Sequence, residues 1–336
     1  MRVREQVQQD KDDARRAHEH KTTSSRYKSA LKRIHQMEVE REALLAIRKS
    51  AMSFRIAPKQ GSKTSEACAV AVASDWHCEE EVKAEWVNNK NRYNLDIAKA
   101  RSIQFFQRVE RLVRKEQQDV KINTLVLALL GDFFSGNIHE ELLETCALPP
   151  IEATMYAQEL LVSGINFLLD HTKLNLVIPC KVGNHSRITD NVHSAHESGN
   201  SLEHMMYCNM AQYFKSEPRV KFIIETGYFT YLDVYNLKIR FHHGHAIRSA
   251  GGVGGLYPAM LRAIYQWNIG ENADVSICGH FHEWHPARRF VVNGCMIGYN
   301  PYAVRLRGEF QPPTQAFMLL DKKRGMSVQI PILFDV

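Results

Sequence analysis

The stretch ACAVAVASDWH, residues 67–77, decides how this chain folds. Its first eight residues alternate small and β-branched side chains with no polar face, the composition of a strand covered on both sides. It breaks off at Asp75 and His77, two metal-ligating side chains beyond the carboxyl end of that strand, where open α/β sheets bind ligands. The same event recurs. LVLALL (125–130) ends in Gly131 and Asp132, and LNLVIPC (174–180) leads to Gly183, Asn184 and His185. LKIRFH (237–242) runs into His243, Gly244 and His245, and VSIC (275–278) into Gly279, His280 and His282. Together these clusters offer two carboxylates, one amide and several imidazoles, without sulfur. That donor set suits Mn, Fe, Zn or Co, and two such ions about 3.5–4 Å apart are a standard device for displacing an oxygen at phosphorus.

Helical periodicity fills the gaps between these strands: residues 97–116, 152–170, 197–214 and 257–267. Further strands are expected at 220–225, 228–234, 289–292 and 316–320. Strand–helix alternation followed by a strand-rich half predicts an α/β fold of two mixed β-sheets packed face to face, with helices outside. The predicted organisation is a helical arm over 1–57, a linker over 58–66 and one large domain over 67–336. In the arm, residues 22–25 (TTSS) interrupt a Lys-, Arg-, Glu- and Gln-rich run and offer an N-cap for a second helix from Arg26 to about Ser50. Tyr27, Leu31, Ile34 and Leu45 fall near a heptad seam that Glu38 and Arg41 break.

The chain has 336 residues, 44% of them apolar, enough for a full core. No apolar run reaches about 18 residues, so no membrane span is expected. A charged start without an apolar h-region argues against secretion. Seven scattered cysteines with no Cys-x-x-Cys pair read as reduced thiols and suggest a cytoplasmic protein. The net charge of +6 is uneven: residues 1–60 sum to +7 and the remainder to −1. The basic arm is compatible with nucleic acid, with a second copy of the chain or with an acidic partner protein, and also with a merely solvated helix.

The ordered clusters Asp75-x-His77, Gly131-Asp132, Gly183-Asn184-His185, His243-Gly244-His245 and Gly279-His280-x-His282 resemble the calcineurin-like metallophosphoesterase superfamily, with a general likeness to phage-encoded members. The resemblance covers about residues 67–300 and implies a four-layer sandwich. It implies that Asp75, His77 and His282 hold a first divalent ion, that Asp132 bridges to a second, and that Asn184, His243 and His280 complete the second site. Manganese is the expected metal, with iron, zinc or cobalt as alternatives. The implied nucleophile is a metal-bound hydroxide, with His185 acting on the leaving group. Relatives often carry an acid directly after Gly-Asn-His; this chain has Ser186 and then Arg187.

Candidate substrate contacts are His139, Arg187, His245 and Arg248, each with an ordinary surface or supporting role as the alternative. Trp76 and Trp284 flank expected ligands and either stack a base or pack. His193, His196 and His204 read as structural, and residues 249–255 (SAGGVGG) as a gating loop or a plain linker. The expected activity is hydrolysis of phosphodiesters in nucleic acid. The alternatives are a phosphatase or phosphodiesterase for nucleotides, other small molecules or phosphoproteins, and an inactive scaffold that binds a partner through its amino-terminal helices.

Overall fold

The computed structural model describes residues 2–50, 55–56, 65–138, 140, 142–248, 255–306 and 310–335. The chain divides into two units, Met1–Ser53 and Phe54–Val336. The first is a single helix, α1 (Arg2–Ser50). The expected break at residues 22–25 does not occur, and with it goes the expected pair of amino-terminal helices. Ser and Thr cost a helix interior only about 0.5–0.7 kcal/mol each against Ala, and no Gly or Pro stands in this run to stop it. Tyr27, Leu31 and Ile34 are exposed on α1. Residues 58–64 of the expected linker lie outside the described residues.

The second unit opens with a two-residue strand, β1 (Arg55–Ile56), followed by β2 (Glu66–Ala73), α2 (Leu95–Glu116) and β3 (Lys121–Leu129). After a short α3 (Leu142–Thr145) come α4 (Pro150–His171), β4 (Asn175–Cys180), α5 (Leu202–Tyr213) and β5 (Val220–Ile224). Then come β6 (Thr230–Val234), β7 (Leu237–Phe241), α6 (Leu256–Gly270), β8 (Val275–Cys278), β9 (His285–Pro286) and β10 (Phe290–Val292), whose strands form the second sheet with β1. The chain finishes with α7 (Pro301–Leu306), β11 (Thr314–Asp321) and β12 (Gly325–Leu333). α5 begins later than its periodicity suggests, because the Ser201 hydroxyl caps it by accepting from His204 N–H. β12 carries Pro331, which reads as a strand breaker but is tolerated on this sheet edge.

One sheet runs β12-β11-β2-β3-β4-β5, with β2 to β5 parallel; the other runs β1-β6-β7-β8-β10-β9. The alternation along β2 sets the layers. Cys68, Val70 and Val72 meet Leu232, Ile239, Phe241 and Ile277 of the second sheet. Ala67, Ala69, Ala71 and Ala73 face the other way, in a core shared with Phe105, Phe106 and Val109 of α2 and Leu161 and Leu168 of α4. On the far side of the second sheet, Phe290 and Val292 bury Met260 and Ile264 of α6. The order is helices, sheet, sheet, helix: the two-sheet α/β sandwich expected from the sequence. Each large aliphatic side chain so buried contributes about 1.5–3 kcal/mol.

The parallel register determines where the chemistry lies. Ala73 pairs with Leu129 and Leu129 with Cys180, so β2, β3 and β4 end at one edge. In the second sheet Phe241 pairs with Ile277, so β7 and β8 end together. Among the described residues no helix is long and apolar enough to cross a membrane.

Candidate metal centre

Beyond the strand ends, the first two loops run on side by side. Asp75 N–H donates to the Gly131 carbonyl at 2.9 Å, His77 N–H to Asp132 at 3.2 Å and Cys78 N–H to Phe133 at 3.0 Å. The second sheet is tied in by His280 N–H, which donates to both Asp75 oxygens at 2.9 and 3.0 Å. These approaches require glycine. A Cβ on Gly183 would lie 2.0 Å from Asp132 Oδ1, and one on Gly279 would lie 2.2 Å from Asp75 Oδ2.

Among the described residues three donor groups result, each with its ligand atoms mutually within 4.8 Å: Asp75 with His77 and His282, Asp132 with His243 and His280, and His77 with Asp132 and His185. Asn184 joins the second group, its Oδ1 lying 3.2 Å from His243 Nε2. Asp132 thus adjoins both halves of the centre. Its Oδ2 lies 2.9 Å from His243 Nε2, and its Oδ1 accepts from His185 N–H at 2.9 Å. Asp75, His77, Asp132 and His243 are buried, and Asn184, His280 and His282 partly so. All seven expected ligands therefore converge, although they span more than two hundred residues.

The backbone is bent to reach this arrangement. Asp75, His77, Asp132, His280 and His282 take φ values of 56°, 45°, 54°, 73° and 59°. Left-handed conformations at non-glycine residues cost of order 1–3 kcal/mol each and gather at functional sites.

Side chains outside the expected set aim the ligands. Ser135 Oγ lies 2.8 Å from His77 Nδ1 and 2.9 Å from Glu80 Oε2. The hydroxyl donates its single proton to the carboxylate, so it accepts from His77 Nδ1–H and leaves the Nε2 lone pair for a metal. His243 does the same through Nδ1–H to the Leu130 carbonyl at 2.6 Å. Glu203 is fully buried; its Oε1 accepts from Phe133 N–H at 2.8 Å and its Oε2 from Gly183 N–H at 2.7 Å, clasping the Asp132 and Asn184 loops together. Glu79 Oε1 accepts from Ser135 and Gly136 N–H at 2.7 and 3.0 Å. Ser135, Glu79 and Glu80 follow expected ligands within three residues, so proximity is their only sequence cue. Glu203 comes from α5 and has none.

Burial holds His77 and His280 well below the usual imidazole range, so both stay neutral, the form that ligates. Burial alone would also lower His243, but the Asp132 carboxylate overrides it and raises the group to about 9. In the metal-free protein a proton therefore sits where Asp132, Asn184 and His243 converge. A cation must displace it, so metal affinity should rise as pH climbs towards 9 and fall on acidification, with protons released on binding. Calorimetric Mn titrations in buffers of different ionisation enthalpy measure this; pH-independent affinity between 6 and 9 would refute it.

The remaining expected contacts are placed as follows. His185 Nδ1 lies 2.9 Å from the Ser135 carbonyl. His245 pairs with Glu197 at 2.8 Å, its ring centroid 6.2 Å from that of His280. Arg187 donates to the carbonyls of Asn184, Thr189 and Asp190 at 2.7, 3.1 and 3.3 Å, stitching its own loop. Arg248 is exposed. His139 and residues 249–254 of the glycine-rich loop lie outside the described residues. Trp76 packs against Phe105, Phe106 and Phe133 and donates to Gln315 at 3.1 Å, so it is a core residue.

The glycine at 183 gives a direct test. Gly183→Ala pushes a methyl into the Asp132 carboxylate and should weaken metal binding about 10–100-fold, read by titration, with the melting transition followed in parallel. Unchanged affinity would show that the loop yields without moving Asp132.

No family model matches the sequence, and no curated protein matches it. Solved structures similar to the chain include a conserved uncharacterized protein of Streptococcus pneumoniae described as a predicted phosphoesterase, at 12% identity and TM-score 0.29, covering 79% of this chain and 97% of that one. Vps29 of Chaetomium thermophilum is 10% identical, with TM-score 0.32 and coverage of 79% and 98%. A dimetal phosphatase from Danio rerio is 8% identical, with TM-score 0.36 and coverage of 80% and 99%.

Proposed function

We propose that this chain is a dinuclear metal-dependent phosphoesterase that hydrolyses phosphodiesters, with nucleic acid as the substrate class. The observation that carries this reading is the meeting at Asp132 of two O/N donor groups with no sulfur. Asp75, His77 and His282 would hold one divalent ion, and Asn184, His243 and His280 the other, with Asp132 between them. When bound, the two ions supply a water activated near neutral pH and a clamp on the phosphoryl oxygens. The chain itself contributes two carboxylates, Asp75 and Asp132, to the ligand set. Against two dications they leave a surplus of positive charge, which draws in a phosphoryl anion.

His185 stands at the edge of this centre, its ring 4.8 Å from that of His77. With its Nδ1 at the Ser135 carbonyl, His185 would offer Nε2 as the atom that passes a proton to a departing alkoxide. The nucleic-acid substrate is supported by the basic excess of the amino-terminal 60 residues, which sum to +7.

A substrate panel tests the whole reading. Full-length protein loaded with Mn should cleave a chromogenic diester, single- or double-stranded DNA or RNA, and lose that activity in excess chelator. Hydrolysis that persists in verified metal-free protein would refute the metal mechanism. Preference for a phosphomonoester over every diester would replace the nuclease reading with a phosphatase.

A further inference from the structure

His185 has a second neighbour that the metal-centred reading does not use. One side of its ring meets His77. The residue also lines a cavity of about 390 Å³ formed between the loop after β3, the start of α4 and the loop after β4. The walls are mixed: Phe134, Ile138, Ile188 and Leu202 are apolar, while Asn137 and Thr189 offer hydrogen bonds.

The cavity is held by a defined frame. Ile188 N–H donates to Asn200 and Leu202 N–H to the Ser186 carbonyl, both at 2.9 Å, and the Ser186 and Ser201 hydroxyls lie 2.7 Å apart. Arg187 fastens the inner side of the same loop through its three carbonyl contacts. Gly136 closes up against the backbone, since a Cβ there would lie 2.8 Å from the His185 carbonyl oxygen.

Resting on the phosphoesterase reading, we infer that this cavity receives the leaving alcohol, and that the alcohol is an uncharged group the size of one nucleoside. A phosphoryl group at the metal centre, with its scissile oxygen against His185, directs the departing group past that ring into the cavity. The size fits such an occupant: about 390 Å³ is near the lower end of ligand pockets, room for one base and sugar. Charge points the same way. Among the described wall residues Arg187 is turned onto backbone carbonyls and Asp190 is acidic, which disfavours a second phosphate. The transfer balances simply: the P–O bond to the alcohol breaks, a water oxygen bonds to phosphorus and gives one of its protons to solvent, and the departing alkoxide takes up one proton to become the alcohol.

The test uses full-length, Mn-loaded protein and adenosine as a stand-in for the released alcohol. Calorimetry should detect adenosine binding, and adenosine should inhibit hydrolysis of bis(4-nitrophenyl) phosphate. Ile188 is 66% exposed at the rim, so Ile188→Trp obstructs the cavity without disturbing the core. It should weaken adenosine binding at least about tenfold; Thr189→Trp, from the neighbouring wall, should act in the same direction. No adenosine binding to the wild type at millimolar concentration, or equal affinity in both variants, would overturn the inference. Adenosine binding in a protein that holds two metals yet hydrolyses no phosphoester would instead overturn the phosphoesterase reading, and the leaving-group role with it.

Discussion

Asp132→Asn should lower phosphoester turnover by about three orders of magnitude or more, some 4 kcal/mol of lost transition-state stabilisation. Asp132 is the residue that belongs to both halves of the centre, grouped with His243 and His280 on one side and with His77 and His185 on the other. An amide presents one acceptor where the carboxylate presents two. One of those oxygens already takes the His185 N–H, and the other faces His243 Nε2 at 2.9 Å. The substitution also leaves Asp75 as the lone carboxylate of the ligand set against two dications. Elemental analysis should find less than the full complement of metal in a protein of unchanged secondary structure. Turnover within about tenfold of wild type, with both ions retained, would show that Asp132 does not bridge.

His185→Gln should cost about 10²–10⁴-fold in turnover while sparing metal content. Glutamine keeps a donor near the leaving oxygen but cannot give up a proton. The structure sharpens this test, because the ligand atoms of His185, His77 and Asp132 lie within 4.8 Å of one another, close enough to share one ion. If the variant loses an ion, His185 is a ligand and the proton comes from elsewhere. If it keeps both ions and runs at nearly the wild-type rate, water is a sufficient acid.

Much of this centre is legible in the sequence, and the reason is topological. Parallel strands end at a common edge, so Asp75, Asp132 and Asn184 are brought together by β2, β3 and β4 despite their separation along the chain. His243 and His280 follow by the same rule from β7 and β8. Local patterns fail where the decisive partner is remote. Glu203 is an ordinary helix glutamate until α5 packs its carboxylate between two loop N–H groups. Residues 22–25 look like a helix boundary because Ser and Thr favour caps, yet a long run without Gly or Pro carries the helix through them. Pro331 obscures β12 because a sequence does not reveal which strand will form an edge. The left-handed backbone at the ligands is equally hidden, since Asp and His adopt it only when the surrounding loops impose it.

That backbone has a consequence for how such a centre persists. All five of these bent residues are among the seven that would bind metal, so the chain is strained where it would be chemically useful. Replacing one of them by glycine removes a ligand and a steric conflict together, and in the metal-free protein the second effect favours folding. The core beneath, built from the alternating face of β2, does not depend on those side chains. Mutational decay of the proposed catalytic function is therefore a downhill path that leaves the architecture standing. Only continued selection for turnover, with metal at hand to offset the strain, would keep these five positions occupied as they are.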